Sequence, residues 1–313
     1  MSRPDHLGFR RNSVKSVPCN VRHCPAMHTP WDDLTLTPVA AMNDGGQRFR
    51  ATISRQWIVA TVPQGGFVTA LAARAMATVV DDPAQALRSV TSVFAGPVVD
   101  GPVEIDVRVL RRGRTLTQCL ATITNPGSAA GLSVIAVFGA RRAGFDVVER
   151  IMPTVPGPME SWGWRDPVPA DVDFAYDQEP PPFWSTIVEG RPSLARRPWE
   201  PVRPGPAESF DWYRFDQPPI LPDGTIDPAA IIVLADSMPG ALDPVVDDIA
   251  WFAPSADLTV HVFGTLRSEW TLAHARIVRA TEGYASAVVE LWDSSTKELV
   301  AHATQVMIFV LPR

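Results

Sequence analysis

The stretch AAIIVLADSMPGAL, residues 229–242, carries one charged side chain, Asp236, in a segment that is otherwise almost entirely apolar. Pro228 before it and the Pro-Gly pair at 239–240 are typical helix boundaries, so the pattern predicts a helix over 228–238. A helix that is apolar on all sides must be enclosed, and a strongly curved sheet can enclose it. This requirement indicates an α+β fold in which antiparallel strands wrap a central helix.

The composition limits the kinds of partner that the chain can have. The 313 residues are 46% apolar and carry a formal net charge of -6. An acidic chain gives no electrostatic reason to expect nucleic acid or an anionic membrane surface, since both require clustered positive charge. No run of eighteen apolar residues occurs, so membrane insertion is not expected either. The expected partner is a small molecule.

The N-terminal segment 1–30 is predicted to be a disordered extension, with Met27 as a candidate start. It is basic and lacks the apolar core of a secretory signal. Three cysteines cannot form a disulfide framework, which favours a reducing, cytoplasmic location. A group of soft ligands lies in this region, but its spacing is not that of a zinc finger, and no metal site is predicted. The group consists of Cys19, His23, Cys24 and His28.

The next part of the chain has the order strand, helix, four strands. A strand-like run at 48–54 precedes a segment, 61–80, whose buried pattern predicts a helix that starts near the Gly65-Gly66 pair. Four alternating, β-branched segments follow, with Gly-Pro or Asn-Pro-Gly turns between them. They cover 87–96, 103–113, 115–125 and 131–141.

The same order recurs in the second half of the chain, which predicts two copies of one module. A strand at 209–216 precedes the 228–238 helix, and residues 111–124 align with 266–279 as equivalent strand-turn-strand units. Five strand candidates then follow. They are IAWFA (249–253), ADLTVHVFG (256–264), WTLAHARIVRATEG (270–283), YASAVVELWD (284–293) and LVAHATQVMIFV (299–310).

The predicted domain organisation is a first module at 31–141, a linker at 142–207 and a second module at 208–313. The linker is rich in proline and reads as a long extended connection. Its tryptophans are too many for a free linker, so we expect it to pack along the surface of the modules. They are Trp162, Trp164, Trp184 and Trp199.

Several motifs resemble one known family, the tandem hot-dog acyl-CoA thioesterases related to acyl-CoA thioesterase II, in particular the actinobacterial ones. PQGGFVTALAARA resembles the Gly-Gly entry to the first helix of that family, and VFAGPVVDGPVEIDVRVLRRGRTLTQCLATI resembles its strand pair. PSADLTVHVFG and GYASAVVELWDSSTKELVAHATQ resemble its closing strands. The likeness spans roughly 45 to 310 and implies a double hot-dog fold that hydrolyses fatty acyl-CoA to fatty acid and CoA, without a cofactor.

The resemblance also implies a catalytic set of an aspartate, a hydroxyl residue and a glutamine. By motif these fall on Asp236, Ser255 and Gln305, with Thr259 as the nearest competitor of Ser255. The chemistry agrees, because thioester hydrolysis requires a held water, a group that accepts its proton and donors for the oxyanion. A carboxylate in an apolar setting is a better base than a solvated one.

Further substrate contacts are predicted at Gly65, Gly66 and Thr259. Free N–H groups at the start of a helix suit a carbonyl or a phosphate, although the two glycines are equally well explained by a tight turn. The helix of the first module contains no carboxylate, so one working site per chain is expected, in the second module. Acyl-CoA is the predicted partner, and a homo-oligomer is left open.

Other functions find less support in the sequence. G-x-S-x-G, G-x-G-x-x-G after a strand, a P-loop and H-E-x-x-H are all absent. A hot-dog hydratase or dehydratase would place a histidine near a helix start, and neither predicted helix has one. His261 and His274 read as ordinary sheet residues. A non-catalytic acyl-CoA-binding protein stays open as the alternative from a different class.

Overall fold

A computed structural model describes residues 29–42, 45–174, 179–201, 205–246 and 252–310. The predicted N-terminal extension up to residue 28, including the cysteine and histidine group, lies outside these residues. So does most of the predicted strand at 249–253, of which Phe252 forms a single bridge to Val310.

The first half of the described chain folds as strands around one long helix. In chain order it contains β1 (Thr37–Ala41), β2 (Gln47–Ile53), α1 (Gly65–Val80), β3 (Gln85–Phe94), β4 (Gly101–Arg112), β5 (Leu116–Thr124) and β6 (Leu132–Ala140). Helix α1 is capped at its start by Gln64, whose side-chain oxygen accepts from the N–H of Phe67. It ends at Asp81, which has left-handed backbone geometry (φ 47°).

The second half repeats this order and adds one short helix before its first strand. It contains α2 (Pro182–Thr186), β7 (Val188–Ser193), β8 (Glu208–Phe215), α3 (Pro228–Ala235), β9 (Asp257–Val262), β10 (Thr271–Thr281), β11 (Tyr284–Asp293) and β12 (Leu299–Ile308). Helix α3 ends earlier than the predicted residue 238, and the chain continues as a 3-10 helix over Met238–Leu242. Pro239 explains the break, because it has no N–H to donate to the carbonyl oxygen of Ala235 and its ring clashes with that carbonyl in an α-helix.

All twelve strands belong to one antiparallel sheet, in the order β1-β2-β4-β5-β6-β3-β9-β12-β11-β10-β8-β7. The first module contributes β2-β4-β5-β6-β3, and the second contributes the equivalent series β8-β10-β11-β12-β9 in reverse. The two series meet where β3 pairs with β9, with Thr91 directly opposite Thr259. The predicted double hot-dog fold is confirmed, with its two sheets joined edge to edge.

Helices α1 and α3 lie on the same face of this sheet and pack against each other. Helix α1 contacts β4, β5 and β6, α3 contacts β11 and β12, and the helices share a contact surface of their own. Every residue from Ala229 to Ala235 is buried, which explains why the sequence of α3 is apolar on all sides. Burying each large aliphatic side chain of this set contributes about 1.5–3 kcal/mol.

The segment predicted as an extended connection contains regular structure. Helix α2 and strand β7 both lie within 142–207, and β7 pairs with β8 at the edge of the sheet. Pro192 within β7 is compatible with an edge position, since an edge strand has one unpaired side. Trp164 and Trp184 pack against the core of the modules, as the tryptophan content of the segment predicts.

Candidate functional site

Asp236 lies at the C-terminal end of α3 and faces the N-terminal end of α1. The residue has left the helical conformation (φ -90°, ψ 40°), which turns its side chain out of the helix. One carboxylate oxygen, Oδ2, accepts a hydrogen bond of 2.8 Å from the backbone N–H of Gly66. The carboxylate therefore joins the helices of the two modules.

The other carboxylate oxygen of Asp236, Oδ1, accepts from Ser255 and Gln305. The Ser255 hydroxyl donates over 3.1 Å and the Gln305 amide over 2.5 Å. The same Gln305 Nε2 also donates to the Ser255 oxygen over 2.5 Å. The structure thus brings together all three residues that were predicted as catalytic, although 69 positions separate Asp236 from Gln305.

The strand pattern explains why an amide points into the interior at this place. Gln305 alternates along β12 with buried Ala303 and Met307, so it shares their inward face and is 1% exposed. Ser255 precedes β9 and forms a single bridge to Met307, which places its hydroxyl beside Gln305. The period-two alternation of β12 therefore sets the inward direction of the Gln305 side chain, and the bridge to Met307 sets the position of the Ser255 hydroxyl.

The Gly65-Gly66 pair permits the close approach of α1 to Asp236. A Cβ atom on Gly66 would lie 2.6 Å from the carbonyl oxygen of Ile232, and one on Gly65 would lie 2.8 Å from the ring of Phe94. Both distances are shorter than Cβ contacts in folded proteins, so a side chain at either position would force its neighbours to shift. Substrate contact by the two glycines stays a prediction: the Gly66 N–H is bonded to Asp236, and Gly65 lines the cavity described below.

Gln64 is a part of the site that the sequence analysis missed. Besides capping α1, its amide donates to the carbonyl oxygen of Val233 over 2.9 Å and to that of Asp236 over 3.4 Å. The side chain is 5% exposed. The available signal was an amide residue directly before the Gly-Gly pair, where an N-cap is expected.

Thr259 does not join this group. It lies on the opposite face of β9 from buried Leu258 and Val260, and its hydroxyl donates to that of Thr91 over 3.1 Å. Ser255, not Thr259, is the hydroxyl beside Asp236.

The environment of Asp236 shifts its ionisation. Burial raises the pKa of the Asp236 carboxyl to about 6, while hydrogen bonds from Gly66, Gln305, Ser255 and Gly65 oppose this rise. The positive end of the α1 dipole also favours the charged form. At neutral pH the group is a carboxylate of increased basicity, ready to accept a proton.

Asp236 and Ser255 lie on the wall of a large cavity of about 1810 Å³ among the described residues. The linker and β8 form much of the remaining wall. On this wall Asp211 is a second buried carboxyl group, and burial raises its pKa to about 6, against hydrogen bonds from Ser209 and Tyr213. The sequence pattern of β8 did not indicate that Asp211 would be buried beside the cavity.

No group of three or more histidine, cysteine, aspartate and glutamate side chains that could hold a metal ion occurs within the described ranges. The two histidines that were interpreted as sheet residues lie on strands. His274 on β10 contacts Glu208 over 2.5 Å, and His261 on β9 stacks with His302.

Comparison with protein-family models identifies the chain. The acyl-CoA thioesterase N-terminal domain matches residues 53–139, and the acyl-CoA thioesterase C-terminal domain matches residues 163–309. The chain therefore belongs to the acyl-CoA thioesterase family and is a thioester hydrolase.

Solved structures show the same fold. A hot-dog protein of unknown function from Alicyclobacillus acidocaldarius is 22% identical, with a TM-score of 0.71 over 92% of this chain and 100% of that one. An acyl-CoA thioesterase II from Mycobacterium marinum is 20% identical, with a TM-score of 0.67 over 91% and 99%. The tesB protein of Mycobacterium avium subs paratuberculosis is 20% identical, with a TM-score of 0.65 over 89% and 96%.

The search of curated proteins found no match for this chain. In the part of the chain that the structure describes, no helix is long and apolar enough to span a bilayer.

Proposed function

We propose that this protein hydrolyses acyl-CoA to a carboxylic acid and CoA, with Asp236 as the general base. The observation that carries the proposal is the convergence of Asp236, Ser255 and Gln305, from three separate segments, where Asp236 and Ser255 line one large cavity. A carboxylate, a hydroxyl and an amide in mutual hydrogen bonding are the groups that can hold and activate one water.

In the first step Asp236 takes a proton from a water as the water oxygen attacks the thioester carbon. The carbonyl double bond opens to an oxyanion, and a tetrahedral intermediate forms. A base with a pKa near 6 is ionised at neutral pH yet retains a driving force for proton transfer. The positive end of α1, which lies against Asp236, favours the negative charge of the oxyanion.

Gln305 supplies a further contact for the water. Its two amide hydrogens go to Asp236 and Ser255, and its Oε1 is buried without a hydrogen-bond partner among the described residues. An unpaired buried acceptor costs about 1–3 kcal/mol. A water between this oxygen and the Asp236 carboxylate would satisfy the acceptor and would fix both water protons.

In the second step the intermediate collapses and the carbon-sulfur bond breaks. The CoA thiolate leaves and takes the proton that Asp236 had accepted, so that Asp236 returns to its carboxylate form. Ser255 donates to Asp236 while it accepts from Gln305, which holds the carboxylate in one orientation throughout. No external reagent other than water is consumed.

The test is release of free thiol from a panel of acyl-CoA substrates, for the wild type and for Ser255→Ala, Gln305→Ala and the double variant. Because both residues donate to the same oxygen of Asp236 and bond to each other, the losses in kcat are expected to be about 10- to 100-fold each and clearly less than multiplicative when combined. Binding of acyl-CoA without thiol release by the wild type would favour the acyl-binding alternative instead. A fatty acyl chain as the substrate stays a prediction of the sequence.

A further inference from the structure

The cavity beside Asp236 has an aromatic wall supplied by the linker and by β8. The rings of Trp164 and Trp184 meet edge to face with centroids 4.8 Å apart, and Trp184 stacks on Tyr213 at 5.8 Å. Trp164 and Tyr213 are 6.2 Å apart. All three residues line the same cavity as Asp236, and their rings form one continuous aromatic surface, the aromatic wall.

The chain holds this wall in place by specific contacts. A Cβ atom on Gly190 would lie 2.2 Å from the Trp164 ring, so the glycine in β7 leaves the space that this ring occupies. The backbone N–H of Trp164 donates to the Gly190 carbonyl oxygen over 3.2 Å. Tyr213 is 3% exposed, and Phe183 packs edge to face on Trp184 at 4.6 Å. The wall is therefore preformed.

An aromatic wall distinguishes between acyl groups of different shape. Stacked or edge-to-face ring pairs contribute about 0.5–1.5 kcal/mol beyond the area that they bury, and an alkyl chain gains only the area term. The cavity volume of about 1810 Å³ also exceeds the roughly 300–1,000 Å³ of usual small-molecule sites, so the cavity has room for a rigid ring as well as for the CoA part of the substrate.

Two carboxyl groups that line the cavity also favour an aromatic ring over an alkyl chain. Asp211 and Asp243 both line the cavity. A methylene chain laid against these groups offers no hydrogen-bond partner to their oxygens. The edge of an aromatic ring carries partial positive charge and is a better neighbour for these oxygens.

We propose that the acyl group is ring-bearing, an aryl-alkanoyl group and not a long saturated chain, and that Trp164 and Trp184 determine this specificity. The proposal rests on the proposed function, since it names the substrate class of the same site.

The experiment compares phenylbutanoyl-CoA with decanoyl-CoA, which have equal numbers of acyl carbons. For the wild type, kcat/KM is expected to be at least tenfold higher for the aryl substrate. Trp184→Leu is expected to reduce this ratio severalfold, and Trp184→Phe, which keeps a ring, is expected to retain most of it. Trp270→Leu, which removes a tryptophan outside the cavity lining, is the matched control and should keep the wild-type ratio.

Binding separates a failure of this proposal from a failure of the proposed function. The non-hydrolysable thioether analogues of both substrates are titrated against the wild type, with tryptophan fluorescence as the readout. Tighter binding of the aryl analogue supports the substrate class even if no thioester is hydrolysed. Equal or tighter binding of the decyl analogue, or a kcat/KM ratio that Trp184→Leu leaves unchanged, would overturn the proposal.

Discussion

At the residue scale, the central feature is one carboxylate at the end of an otherwise apolar helix. Asp236 is held by a backbone N–H from the first module and by Ser255 and Gln305 from the second. Burial increases its basicity, and the hydrogen bonds keep it from being protonated at neutral pH. The sequence predicted these three residues by motif, but it could not show that the Gly66 N–H contacts the aspartate, because that contact joins segments 170 positions apart.

The shifted ionisation of Asp236 predicts a pH dependence for catalysis. The base must be deprotonated, so kcat/KM should rise with pH through an apparent pKa of about 6 and level off above it. Pantetheine thioesters are the suitable substrates, since they lack the phosphates of CoA that titrate in this range. A rate that is flat from pH 5 to 8, or that falls with increasing pH, would be inconsistent with Asp236 as the base.

Protonation of Asp236 also affects stability, and the sign follows from the raised pKa. The folded protein binds this proton more tightly than the unfolded chain, so the contribution of Asp236 to the free energy of unfolding should decrease as the pH rises from about 4 through about 6. Asp236→Asn removes this contribution and leaves that of Asp211 in place. The stability of the wild type relative to the variant should therefore be greatest near pH 4, as measured by urea unfolding at several pH values. A difference that grows with pH would contradict the assignment.

At the element scale, the contact of α1 with α3 builds the site, and sequence patterns predicted both helices but not their contact. Helix propensity and turn signals define each helix separately, whereas the close approach depends on atoms of both modules. The early end of α3 at Ala235 has a local cause in Pro239 and a tertiary cause in the hydrogen bonds of Asp236. Strand β7 was missed because a Gly and Pro content such as that of 188–193 argues against a strand.

Gln64 connects helix α1 to the C-terminal end of α3, and its loss should impair catalysis because it displaces Asp236. Gln64→Leu removes the N-cap of α1 and the bonds to Val233 and Asp236, so kcat should fall about tenfold or more, with a smaller change in KM. The apparent pKa of the pH profile should also shift, which a purely structural role would not produce.

Gln85→Leu is the matched control for this prediction. Gln85 is also a buried glutamine, 7% exposed, with hydrogen bonds to Asp82 and to the carbonyl oxygen of Gly113, at the other end of α1. Both variants should lose stability in thermal unfolding, and only Gln64→Leu should lose kcat. Equal effects of the two on kcat would assign Gln64 a structural role alone.

At the scale of the whole molecule, two modules form one sheet and share one site. The repeat of the pattern predicted both modules, since the strand periods and turns are local properties of the sequence, whereas the pairing of β3 with β9 is a long-range contact. The composition of the cavity wall was not predictable. Trp164, Trp184 and Tyr213 belong to the linker and to β8, and only the complete fold brings them beside α3.

The junction of the two modules can be tested by a disulfide. Thr91 and Thr259 are direct partners across β3 and β9, on the face away from Asp236, and their hydroxyl oxygens are 3.1 Å apart. Thr91→Cys combined with Thr259→Cys should form a cross-link on oxidation and raise the Tm by several degrees, because a closed loop reduces the entropy of the unfolded chain. The thiol assay should give a wild-type rate. Failure of the two cysteines to pair would contradict the β3 and β9 register.

The most direct test of the central claim is kcat for thioester hydrolysis by Asp236→Asn. Loss of the base should lower kcat by about 10²- to 10⁴-fold, while the Kd of a non-hydrolysable analogue stays near that of the wild type. Asp227→Asn serves as the control, since it changes the carboxylate at the opposite end of the same helix, where Asp227 pairs with Arg74. Turnover by Asp236→Asn at the wild-type rate, or an equal loss in both variants, would show that Asp236 is not the catalytic base.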